Sequence, residues 1–188
     1  MTMAASWLRR SASLGLFGAL FALGCRTPRQ VHPTREYPAV KLDSREVNGV
    51  VVDSRPASSD PTVRQLSIPS GFDPKVQARL ASLASGSGPP LGVIVTVVAA
   101  DEEPIVDARG SMTRIRVRLE LEVKLRSGLV LRRANTESRS DLPPEEATPE
   151  EVAFVLDATA IDAFDRYFSD ADMINALNRE LAAQSAKE

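Results

Sequence analysis

Two side chains stand out for their chemistry because each type occurs once in the 188 residues: Cys25 and His32. A single thiol cannot close an intramolecular disulfide, and one Cys with one His is too few for a thiolate–imidazole metal site. His32 lies among Pro28, Pro33 and Pro38, where an exposed histidine is the plain reading, and a lone histidine there leaves no triad built on a histidine base. Arg114, Arg116, Arg118, Arg126, Arg132 and Arg133 form the strongest binding candidate, since guanidinium pairs with phosphate in bidentate geometry. Glu120, Glu122 and Glu137 share that surface, so a charge-balanced solvent face is the competing reading. Asp101, Glu102, Glu103 and Asp107 lack the glycine-spaced pattern of a calcium loop and read as a solvated acidic loop. Asp53 and Arg55 at a strand end read as a turn-stabilising pair, with partner or headgroup binding as the alternative. Spacing does not reveal which acids meet in space, so a carboxylate pair stays open. The expectation is a protein with no catalytic residue and no bound metal.

The charge is −2, with both signs interspersed, and nothing forms the clustered basic face of a nucleic-acid binder. Arg9 and Arg10 precede an apolar run from Leu14 to Gly24, the shape of a secretory signal. The run is short of the roughly 20 apolar residues a bilayer span needs, so it reads as a cleaved segment, residues 1–24. Without those residues, 21 basic side chains face 25 acidic ones, and the remainder is mildly acidic.

Ala22-Leu23-Gly24-Cys25 resembles the lipobox of bacterial lipoproteins, with Ala22 where that family usually has Leu. The resemblance implies cleavage between Gly24 and Cys25, with diacylglycerol on the thiol, an acyl chain on the new amine, and no other cofactor. Arg26, in place of the aspartate that retains such proteins at the inner membrane, implies the periplasmic face of the outer membrane. Ala22-x-Gly24 also fits an ordinary small-x-small cleavage site, which would leave Cys25 as an exposed free thiol.

Residues 25–44 carry prolines and no apolar period, and read as a lipidated terminus and tether. A single domain is expected over 45–183, with 184–188 fraying. Val47–Asp53 reads as a strand and Val63–Ile68 as a further short one. A helix follows, with Asp73 as N-cap and Pro74 at N1. Leu91–Ala100 is an unbroken β-branched run expected to be buried on both faces. Ile115–Arg126 alternates apolar and charged residues through six repeats, which leaves no helical reading. Ser127-Gly128 is expected to turn the chain into a return strand through about Arg139, with Glu122 opposite Arg133 and Arg118 opposite Glu137. That register puts Leu129 and Leu131 on the charged face, where only a bulge or a partner explains them. Thr148-Pro149-Glu150-Glu151 is a complete helix start, followed by an apolar stripe to Phe168 and a second helical segment capped by Ser169 or Asp170. The fold class is α+β: a mixed or antiparallel sheet of about four strands with helices on one face.

This order, with the strand Val47–Arg55 and the span from Ile115 to Leu181, resembles periplasmic lipoproteins of the YajG type. The layout is related to that of LptE and of the auxiliary lipoproteins of ABC-type lipid transporters. The resemblance implies an outer-membrane lipoprotein without enzymatic activity, held to the membrane by its anchor. The favoured function is an adaptor or assembly factor with a protein partner in the envelope, docking through Leu129 and Leu131. The alternative is a module that handles phospholipid or LPS in an apolar, arginine-rimmed groove between the long helix and the sheet.

Overall fold

The computed structural model describes residues 40–108 and 110–186. Gly24, Cys25 and His32 lie outside the described residues.

Val47–Asp53 (β1), Phe72–Leu83 (α1) and Leu91–Asp107 (β3) form a parallel strand–helix–strand unit, with Arg64–Gln65 (β2) as a short antiparallel pairing on β3. Gly110–Leu125 (β4) and Val130–Leu142 (β5) complete a mixed sheet in the order β1-β3-β4-β5. Pro149–Phe168 (α2) and Ala171–Ser185 (α3) close the chain. Val93, Val95 and Val97 lie beside Leu119, Leu121 and Val123 across the β3–β4 pair, and all are buried. Phe72, Val76 and Leu80 of α1, Leu156, Ala160, Ala163 and Phe164 of α2, and Ile174, Leu177 and Leu181 of α3 join the same core. All three helices therefore pack on one face of the sheet, and the opposite face is open to water.

That open face corrects the expectation for β3. Its residues alternate: Val93, Val95 and Val97 are buried, while Ile94, Thr96 and Val98 are half-buried. Asp101 to Pro104 do not form a loop either; β3 continues through them, paired with β4 as far as Asp107 and Gly110. Val98 is an extra residue in a β-bulge, so Ala99 and Asp101 fall on the open face and Ala100 on the core.

The expected β4–β5 register is present, with Glu122 opposite Arg133 and Arg118 opposite Glu137. The connection differs from the expected two-residue turn. The N–H of Gly128 donates to the carbonyl of Leu125 at 2.9 Å, and the N–H of Leu125 to that of Leu129 at 2.9 Å. Gly128 has φ +89°, so residues 126–128 form a three-residue loop whose last position favours glycine. A second bulge compensates: Val130 and Arg132 oppose consecutive β4 residues, and Leu131 between them is extra. Leu131 consequently packs against the core instead of standing on the charged face. Arg132 falls opposite the buried Val123, on the helix side of the sheet, and so leaves the arginine face to which its alternation assigned it.

Thr148 caps α2 as expected, its hydroxyl accepting from Glu151 N–H, with Pro149 in first position. Asp170 caps α3 by accepting from Asp172 and Met173 at 3.0 and 3.1 Å. α1 begins at Phe72, with Gly71 rather than Asp73 at its N-cap. The packed part starts before residue 45: Leu42 is buried, bridges Ala84, and is followed by buried Ser44, whose hydroxyl donates toward the carbonyls of Glu46 and Pro89 at 2.7 Å.

Candidate functional site

The open sheet face is a lattice of ion pairs. Arg114 meets Asp141 through two bonds of 2.8 and 3.2 Å, and Arg116 meets Asp101 at 2.9 Å. Arg133 meets Glu122 at 2.6 Å. Arg118 lies opposite Glu137, which is bonded by its neighbour Arg139 at 2.5 Å. Arg114, Arg116, Arg118 and Arg133 thus each have an acid on a facing strand, while Arg139 takes Glu137 of its own strand. Pairs of this kind lock strand register more than they attract a ligand.

Asp101 is the consequential member, since only 6% of it is exposed. Arg116 supplies its hydrogen bond, so removing the guanidinium leaves a buried carboxylate without that partner. Arg116→Ala is expected to cost about 1–3 kcal/mol by urea unfolding, with Arg116→Lys intermediate.

Asp53 and Arg55 form the expected pair, with Arg55 Nε donating at 2.6 Å and a second nitrogen of the same guanidinium reaching the Leu66 carbonyl. This ties the end of β1 to the loop after β2. The hydrogen bond from Arg55 holds the Asp53 carboxyl below its ordinary value. Asp165 on α2 behaves oppositely: burial pushes its carboxyl up, against the pull of Arg79 at 3.3 Å, and Asp162 adds to the rise. A carboxyl lowered in the fold stabilises above its unfolded pKa, and that contribution fades as pH falls through the folded value. A raised one favours the fold when protonated, and its contribution is lost as pH rises through the folded value. Asp53→Asn is therefore expected to flatten the acid-side loss of stability and Asp165→Asn to steepen it, read as urea midpoints across the acidic range.

The space between α2 and the sheet is filled by Leu156, Ala160, Ala163 and Phe164 against Ile115, Val117, Leu119 and Leu121, all buried. Tyr167 of the same helix is buried too, and burial pushes its phenol up to about 12, with Arg132 pulling the other way. A shallow depression of about 540 Å³ on α3 is lined by Asp43, Asp172, Asn175, Asn178, Arg179 and Ala182. Its Asn178 accepts from Asp43 N–H at 2.9 Å and donates to the Lys41 carbonyl at 3.0 Å, clamping the incoming chain. Among the described residues no cluster of metal-ligating side chains occurs, and no helix is long and apolar enough to cross a membrane.

Alternation and motif reading did not single out β1 as a surface. Ser54 N–H donates to Val97 and Glu46 accepts from Leu91, so the even-numbered residues of this stretch turn their backbone groups toward β3. Gly49, Val51 and Asp53 turn theirs outward. The Gly49 carbonyl accepts from Gln77 at 3.0 Å; among the described residues nothing takes the N–H or carbonyl of Val51. Val50 and Val52 stand 50% and 40% exposed on the open face beside this edge. The signal was present in the sequence as Val50-Val51-Val52 without a lysine, arginine or proline, the residues that usually protect an edge strand. β5, the other edge, carries Arg132, Arg133, Glu137 and Arg139.

No protein-family model matches the chain, and no curated protein matches it. Among solved structures, the chain is similar to a minor lipoprotein from Acinetobacter baumannii over 78% of its own length and 95% of that chain, at 9% identity and a TM-score of 0.36.

Proposed function

We propose that this chain is a lipid-anchored lipoprotein of the bacterial envelope whose domain acts as a non-enzymatic adaptor, binding an extended segment of a partner protein along β1. The anchor rests on Ala22-Leu23-Gly24-Cys25 at the end of the apolar run, and the outer membrane on Arg26. The observation that carries the adaptor role is the β1 edge, with outward backbone groups at Val51 and exposed Val50 and Val52. An added strand gains affinity from main-chain hydrogen bonds and specificity from alternate side chains. A partner strand here would lay apolar residues beside Val50 and Val52 and would leave the ion-paired lattice undisturbed. Leu129 keeps a place as a surface residue, whereas Leu131 is withdrawn into the core.

The test is affinity purification of the C-terminally tagged chain from gently cross-linked membranes, beside a Val50→Lys/Val52→Lys variant. The reading expects one envelope protein to be recovered stoichiometrically with the native chain and at least about tenfold less with the variant, since a lysine on an edge opposes strand addition. Equal recovery from both would overturn the β1 assignment, and recovery of the chain alone would overturn the adaptor.

A further inference from the structure

The segment Lys124-Leu125-Arg126-Ser127-Gly128-Leu129-Val130-Leu131-Arg132-Arg133 contains four cations and no acid. It is the tip of the β4–β5 hairpin. Leu129 and Val130 are 48% and 37% exposed there, large apolar side chains that the fold leaves in water. Arg126 and Arg132 are exposed as well, and among the described residues Arg133 alone of the four cations forms an ion pair, with Glu122. The bulge at Leu131 turns Arg132 to the helix side while Lys124 and Arg133 stay on the open side, so cations flank the exposed aliphatics from both faces of the sheet.

The position of this tip is the second observation. Val47 pairs with Leu91, and Leu91 with Leu125. The start of β1 and the end of β4 therefore lie at the same end of the sheet, two strand spacings or about 10 Å apart. The chain joins the domain at that end, through Val40 and Leu42. Cys25 lies 15 residues before Val40, and a chain of that length reaches at most about 50 Å. The charges near the junction, Lys41, Asp43, Arg45 and Glu46, balance one another, whereas those of the tip are all positive.

We infer that the hairpin tip docks on the anionic phospholipid headgroups of the leaflet that carries the anchor, with Arg126, Arg132 and Lys124 on phosphates and Leu129 and Val130 at the acyl boundary. Juxtamembrane cations gain from the negative surface potential, and a second attachment converts a tethered domain into an oriented one. The orientation follows from the topology: the tip faces the bilayer, the β3–β4 hairpin with Val106 points away, and the β1 edge stands between the two, open to a partner. The inference rests on the anchored reading for the choice of leaflet, and on the tip alone for the chemistry.

The full chain contains a single tryptophan, Trp7, within the segment expected to be removed. Leu129→Trp and, as a control, Val106→Trp at the 84%-exposed tip of the other hairpin thus report separately. Each protein is purified from membranes, its mass is measured, and it is reconstituted in vesicles of phosphatidylcholine with phosphatidylglycerol or of phosphatidylcholine alone. Emission from position 129 is expected to shift to the blue and to be quenched by brominated lipid in the anionic vesicles only, and position 106 to stay aqueous. Salt should reverse the shift, and Arg126→Ala with Arg132→Ala should lower the docked fraction at least about tenfold. Aqueous emission from 129 in the anionic vesicles, an equal shift in neutral ones, or a shift already present before lipid is added would each overturn the inference. A mass without lipid on Cys25 would remove the anchored reading separately. The same labels with vesicles added from outside would then decide the tip, a shift at 129 upholding the chemistry and its absence overturning it.

Discussion

Cys25→Ala is expected to lower the processed, membrane-bound form of this protein by about a hundredfold or more, read by fractionation and immunoblotting of whole cells. The size of the effect follows from the anchor. Each buried methylene contributes about 0.8 kcal/mol, so even one acyl chain binds measurably and two suffice for stable attachment. The side chain that carries the thioether has no substitute in the chain, because the sequence holds one cysteine. The competing reading of Ala22-x-Gly24 as an ordinary cleavage site makes the opposite statement: alanine at position 25 would be processed and distributed as the native chain is. The contrast between the two readings is all-or-none, which makes this substitution more informative than any in the folded domain.

Phe164→Ala is expected to be the most damaging of the core truncations, at about 3–5 kcal/mol in urea unfolding. Phe164 is 1% exposed and sits on α2 with its ring 5.1 Å from that of Phe168, whose other neighbour is Tyr167 at 4.7 Å. It lies on the stripe that seats the long helix across β4 and β5, so its loss leaves a cavity that the rigid sheet beneath cannot fill. For a domain of this size each kcal/mol is worth about 2–4 °C, so the melting temperature should fall by roughly 10 °C. Phe164→Leu, which retains most of the volume, should cost far less. Equal losses from the two would mean that aromatic stacking rather than volume holds the helix.

The elements most legible in the sequence were those with one strong local cause. Strict alternation from Ile115 to Leu125 specified β4 and its buried face, and opposite charges specified its register with β5. Thr148-Pro149 specified the start of α2 to the residue. The misreadings share a different cause, in that pairing overrode local propensity. Asp101-Glu102-Glu103-Pro104 reads as a turn by composition, yet Asp101 is held in β3 by Arg116, and Arg64 and Gln65 pair beside it. Leu42 reads as part of a proline-rich tether, although a slot beside Ala84 buries it.

The candidate surfaces depended on two bulges, and a bulge leaves no mark on periodicity, because it moves one residue out of step without changing composition. The extra Leu131 sends Arg132 to the helix side and Leu131 into the core. It thereby divides what alternation had grouped as one arginine face and one apolar patch. The unpaired edge of β1 was likewise beyond sequence reading. Whether a strand is central or peripheral is decided by which strands flank it, and the Val50-Val51-Val52 run fits either position. What could be read was the absence of charge along that run, and the topology gives that absence its meaning.

The most direct test of the central claim is the intact mass of the protein extracted from envelopes with mild detergent. An anchored lipoprotein expects a chain beginning at Cys25 and heavier than its sequence by a diacylglyceryl group and one further acyl chain. A mass equal to the bare sequence from Cys25, or one that retains residues 1–24 without lipid, would contradict it.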